Sequence, residues 1–209
     1  MKGGVTPYTA VCSCFFFPFP GPSSNPALQE LRKILMDALT DAEPEVRSNA
    51  AFSLGVLVEN SDVVWKKEDF EGILFRLRPY FQVPEGAPKA AFNARDNAAG
   101  AVSRLILTNA ALVPLDSVLP VLYGALPLEN DPLENRPLFR AIFLLFSHDP
   151  KYVLNYMDQL IPIFARVLDP NLPDEIGNEN RAALLQLLTQ INGLAPGRLQ
   201  DAGLGAYLA

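Results

Sequence analysis

Apolar positions recur along most of the chain at steps of three and four residues, the period of helices that bury one face. Residues 31–40, LRKILMDALT, put Leu31, Ile34, Leu35, Ala38 and Leu39 on one stripe. Residues 41–57, DAEPEVRSNAAFSLGVL, open with acids and Pro44, which suit a helix start. Val46, Ala50, Leu54, Leu57 and Val58 then follow at the same period. Two amphipathic helices joined by about three residues must pack antiparallel. Ala50, Ala51, Ser53 and Gly55 keep the second helix narrow enough for close neighbours, as a stacking unit requires.

The unit recurs. VRSNAAFSLG at 46–55 aligns with ARDNAAGAVS at 94–103, so that Arg95 follows Arg47 by 48 residues and Asn97 falls on Asn49. Weaker copies, ENRPLFRAIFLL at 134–145 and ENRAALLQLL at 179–188, carry Arg136 and Arg181 a further 41 and 45 residues on. The segments LRPYF, LPVLYGAL and IPIFARVL align Pro79, Pro120 and Pro162 at spacings of 41 and 42. Periods in the forties with two helices per unit characterise HEAT and armadillo repeats. The pattern predicts an all-α solenoid of about four HEAT-type hairpins, at 26–60, 68–109, 115–147 and 152–193, with a short capping helix at 197–209. The proline- and glycine-bearing stretch 82–92 is expected to be a loop, and PLENDPLEN at 127–135 an inter-helix turn.

Residues 1–24, MKGGVTPYTAVCSCFFFPFPGPSS, have no helical period, and Pro18, Pro20 and Pro22 exclude a regular helix, so a disordered leader is expected. Lys2 ahead of the apolar run 11–17 has the outline of a secretory signal, but prolines interrupt it and no clean small-residue cleavage site follows. FFFPFPG is also what a pyrimidine-rich splice tract gives when translated, which points to a retained intron or a mis-annotated start ahead of Asn25.

Apolar residues make up 49% of the chain and charged residues only 19%, below the usual quarter, as helices buried on two sides require. The net charge of −6 makes a nucleic-acid backbone a poor partner and a basic protein a good one. From Leu105 onward there are 11 acids against 6 bases, so the surplus lies in the C-terminal half. Cys12, Cys14 and the single His148 form neither a disulfide framework nor a zinc site, which suggests an intracellular chain. No apolar run is long enough to span a membrane. One histidine, no phosphate-binding glycine loop and no metal-spaced acids leave no triad or metallohydrolase to assemble, so neither enzyme activity nor a cofactor is expected.

The stretches LTDAEPEVRSNAAFSLGVLVEN, ARDNAAGAVSRLIL and VLPVLYGALPLENDPLENRPLFRAIFLLF together resemble the C-terminal end of importin-β-like (karyopherin-β) nuclear transport receptors. The resemblance runs from about Leu28 to the C-terminus and implies protein transport between cytoplasm and nucleus through the nuclear-envelope pore. It implies basic cargo, such as histones and ribosomal proteins, and phenylalanine-rich nucleoporins in apolar grooves between outer helices. The many N-terminal repeats that bind the GTPase Ran in these receptors have no counterpart in this sequence, so Ran binding is not expected of it.

In such stacks the second helices line the concave surface. Asn49 and Asn97 hold equivalent positions there, and Glu134 with Asn135, then Glu179 with Asn180, open the next two second helices. The resemblance implies that these asparagines and acids hold cargo lysines on an acidic concave surface, where carboxylate and amide oxygens can surround an ammonium. A structural reading stands beside it: each Asn ties its helix to the next repeat, and each Glu balances a positive helix N-terminus. Arg47, Arg95, Arg136 and Arg181 read as a structural ladder between inter-helix turns and their acids. Phe139, Phe143 and Phe146 are spaced as a core stripe, and His148 sits at a helix end. Two functions stay open, a cargo-binding segment of a transport receptor and a structural HEAT scaffold within a larger complex. Binding of a lysine-rich peptide separates them.

Overall fold

The computed structural model describes residues 26–208 apart from position 62, so the expectations for residues 1–24 lie outside the described residues. Helices α1 (Pro26–Ala38) and α2 (Pro44–Asn60) form the first hairpin. Pro44 opens α2, where its missing N–H costs nothing, and Glu45 sits in the first turn against the positive helix end. Helix α3 (Lys67–Leu77) runs on through a 3₁₀ turn, Arg78–Phe81, and pairs with α4 (Lys89–Asn109). The third hairpin is α5 (Leu115–Gly124) with α6 (Asn135–His148), entered through the 3₁₀ turn Pro132–Glu134. The fourth is α7 (Lys151–Leu154) and α8 (Met157–Leu168) with α9 (Asn178–Leu194). Helix α10 (Arg198–Asp201) closes the stack, with Leu199 and Leu204 buried and the Tyr207 hydroxyl donating to the Leu168 carbonyl at 3.1 Å. No strand occurs among the described residues, and the architecture is the all-α solenoid that the repeat pattern predicts.

Local features depart from the sequence reading: the stretch 82–92, expected to be a loop, is helical from Lys89, and the cap expected over 197–209 is the four-residue α10 followed by a 3₁₀ turn, Gly205–Tyr207. Repeat four opens not on one helix but on two, broken where Tyr156 leaves the helical region with φ −119° and ψ 20°. The Tyr156 ring packs edge-on against Tyr123 of α5 at 5.1 Å. Pro120 and Pro162 lie inside α5 and α8, each four residues after an aspartate of the first turn. Each therefore removes only one early helix bond. Pro79 stands apart from them, in the 3₁₀ turn that ends α3.

The second helices pack in order, α2 on α4, α4 on α6 and α6 on α9. Close approach of the first pair depends on Gly55, where a Cβ would stand 2.8 Å from the Ala101 Cα. Ala98, Ala99 and Ala101 are buried on the facing helix. Helix α4 is so deeply set that Arg140 of α6 reaches over it to Glu59 of α2, at 2.7 Å. Repeats one and three thus meet across repeat two, which puts the second-helix layer on the inside of the bend.

Candidate functional site

The inner layer is not acidic. Helices α2, α4, α6 and α9 together hold 7 lysines and arginines against 4 aspartates and glutamates. Of the acids expected there Glu179 lies on α9 but Glu134 lies in the turn before α6, and acids gather in the turns that lead into these helices, as Asp41 and Glu43, Glu85, Glu129 with Asp131, and Asp169 with Asp174 and Glu175. Turn chemistry and positive helix starts both favour carboxylates in those places.

Of the residues assigned to cargo from the sequence, Asn49 on α2 and Glu179 on α9 are exposed, on helices that do not touch as neighbours. Asn97 is only 6% exposed and donates from Nδ2 to the Ser48 hydroxyl of repeat one at 2.8 Å. Asn135 is buried, donating to the Leu128 carbonyl at 3.3 Å and to Glu175 of repeat four at 3.0 Å. Asn180 donates to the Ile176 carbonyl at 2.9 Å and to the Arg136 carbonyl of repeat three at 3.5 Å. Glu134 is 1% exposed, and its carboxylate accepts from both terminal nitrogens of Arg104, at 2.5 and 3.2 Å. Three of the asparagines thus join neighbouring repeats, and the charge of Glu134 is spent inside the fold.

The arginines divide. Arg47 donates to the carbonyls of Asp41 and Ala42 at 2.7 and 2.8 Å, and Arg181 to those of Val167 and Leu168 at 3.0 and 2.7 Å. Each holds the end of its own repeat's first helix or turn. Arg95 donates to Asp96 Oδ1 at 3.1 and 3.0 Å, while Asp96 Oδ2 accepts from the backbone of Asn130 and Asp131 at 2.7 and 3.1 Å. Those bonds cross from repeat two to repeat three. Arg136 is exposed and makes no side-chain hydrogen bond or ion pair among the described residues. Its expected bridging role falls to Arg166 of α8, which joins Glu129 at 2.9 Å to Glu175 at 3.0 Å.

Sequence reasoning missed the buried centre of this surface. Arg104 pairs with Glu134 and, at 3.3 Å, with Glu59, which also takes Arg140. Phe52 covers the Arg104 guanidinium at 5.4 Å. Burial pushes the Glu134 carboxyl above the ordinary carboxylate range, against the pull of Arg104. Asp131 is pushed up as well, by burial and then by the like charge of Asp96, and no cation among the described residues lies within ion-pair distance of it. The Asn97 amide is within hydrogen-bonding reach of Asp131, and the Asn97 Oδ1 is buried without a partner. The signals in the sequence were faint: a lone arginine in the apolar run 98–107, and an aspartate at 96 where the equivalent position in repeat one holds Ser48. No group of three or more metal-ligating side chains comes together among the described residues.

The HEAT repeat model matches residues 31–61. The probable importin subunit beta-4 of Schizosaccharomyces pombe is 38% identical over 167 residues, which is 80% of this chain and 15% of that protein. Importin-4 of Homo sapiens is 33% identical over 169 residues, covering 81% of this chain and 15% of its own length. The chain belongs to the importin-β family. Importin-4 of Mus musculus, at 31% identity over the same share, agrees. The chain spans about 15% of the length of these importins. No described helix is long and apolar enough to cross a membrane.

Proposed function

We propose that the chain is a cargo-engaging segment of an importin-β-type nuclear transport receptor, and that a lysine of a basic import signal enters between Asp131 and Asn97. The observation that carries this reading is a half-exposed carboxylate with a like-charged neighbour and no paired cation, beside a buried amide oxygen with no donor. An ammonium at the half-exposed Asp131 carboxylate supplies the missing charge. Asn49, on the neighbouring helix, and Glu179 further along are the exposed members of the set assigned to cargo. The same reading carries histone or ribosomal-protein cargo, phenylalanine-rich nucleoporins as further partners, and movement between cytoplasm and nucleus through the pore.

The test is titration of a fluorescent lysine-rich, histone-tail-like peptide at low salt. Asp131→Asn with Asn97→Ala should weaken binding, and Glu30→Lys on the exposed face of α1 should not do so selectively. Glu134→Lys is unsuitable, because it would bury a cation beside Arg104. No binding by the wild type, or equal weakening by the control, would leave the bare scaffold as the better account.

A further inference from the structure

We propose that residues 15–19 of this chain, the run FFFPF ahead of the described residues, dock on the open side of the first hairpin and cap the solenoid at that end. The two sides of α1 differ. Arg32 reaches Asp69 of α3, and Met36 lies beside Gly72 of α3, so this side faces repeat two. Leu31, Ile34 and Ala38 fall on the side turned away from it, with Leu31 42% and Ile34 54% exposed. On α2, Ser48 and Gly55 face α4 through Asn97 and Ala101. Val46, Ser53 and Leu57 occupy the opposite side, where Val46 is 40% exposed. The two stripes belong to one hairpin and hold no charged residue. An array end left to water needs a polar outer face. The other end meets that need through α10, which buries Leu199 and Leu204.

Chemistry and reach both select this occupant. From Gly3 to Asn25 the sequence has no charged side chain, so docking desolvates no charge. Phe15, Phe16, Phe17 and Phe19 supply the apolar rings, while Pro18, Pro20 and Pro22 lack an N–H and leave fewer donors to satisfy at an irregular contact. Residues 20–25, which join the run to α1, extend to about 20 Å. Leu31 and Ile34 stand only roughly 8 and 12 Å along α1 from Pro26. A tether this short holds the rings at an effective concentration in the millimolar range, about a thousandfold above a second copy at micromolar concentration. The chain's own segment therefore takes the edge ahead of edge-to-edge pairing between copies.

The experiment uses the whole chain, with the photo-crosslinking residue benzoylphenylalanine in place of Phe17. Irradiation at micromolar concentration should join position 17 to peptides of α1 and α2 within the same molecule, so that the product migrates as a monomer. Hydrogen exchange then measures what the contact is worth. Replacing Phe15, Phe16, Phe17 and Phe19 together by Ser should speed exchange along α1 about tenfold, as the loss of roughly one buried ring would. Ile34→Gln, which keeps helix propensity, should speed it as well. The two changes combined should do little more than the larger alone, because both remove one contact. Phe75→Ser, at a ring 77% exposed on α3, should leave α1 unchanged. Crosslinks between two copies or to α3 and beyond, exchange along α1 indifferent to the four serines, full additivity with Ile34→Gln, or equal acceleration by Phe75→Ser would each overturn the proposal.

Discussion

At position 100 a Cβ would occupy the space that the Glu134 carboxylate fills, so the ion pair with Arg104 depends on a residue that contributes no side chain. Removing the charge while keeping the shape, in Glu134→Gln, leaves Arg104 buried with Glu59 alone. That should cost about 3 kcal/mol, near the lower end for breaking a buried pair, measured as a fall in the urea midpoint. Asp131, pushed up by burial as Glu134 is, has no ion-paired arginine to leave behind when its charge is removed. Its folded-state pKa is raised, by burial first and Asp96 second, so the folded chain binds this proton more tightly than the unfolded one. The destabilisation is absent below the unfolded carboxylate range, grows as pH rises through the raised folded value, and is complete above it. Asp131→Asn should therefore raise the urea midpoint at neutral pH, and the gain should vanish as both proteins are taken down through the carboxylate range.

At the scale of elements, the turn between α5 and α6 has no periodic face of its own, and an aspartate from the previous repeat binds its backbone beside the ties from Asn135 and Arg166. Asp96 accepts four hydrogen bonds there, two from Arg95 and two from the backbone of Asn130 and Asp131. Asp96→Ala should cost roughly 3 kcal/mol through the donors it orphans, and hydrogen exchange should quicken first at Asn130 and Asp131. The hairpins themselves were legible, because the stripe of 31–39 and the small residues of 46–55 report local packing. The break at Tyr156 was not, since the apolar period runs unbroken through 152–168 and only the contact with Tyr123 of another repeat marks it. Pro79 aligned by spacing alone with prolines that occupy a different place in their helices.

At the scale of the whole molecule, net charge said that the chain is acidic but not where. The turns hold the acids and the inner helices the surplus of bases, and no periodicity distinguishes one edge of a solenoid from the other. The equivalence of Asn49 and Asn97 was legible, but their different fates were not. Asn97 faces Ser48 of a preceding repeat and is buried, whereas Asn49 is exposed. The centre built on Glu59, Arg104, Glu134 and Arg140 draws on three repeats, with Glu59 and Arg140 standing 81 residues apart, beyond the reach of any local motif. That long clasp changes how the array would bear a load. Units that touch only their neighbours come away singly, in succession, when the ends are pulled. With Arg140 hooked to Glu59 over the top of α4, peeling repeat one from repeat two also strains repeat three.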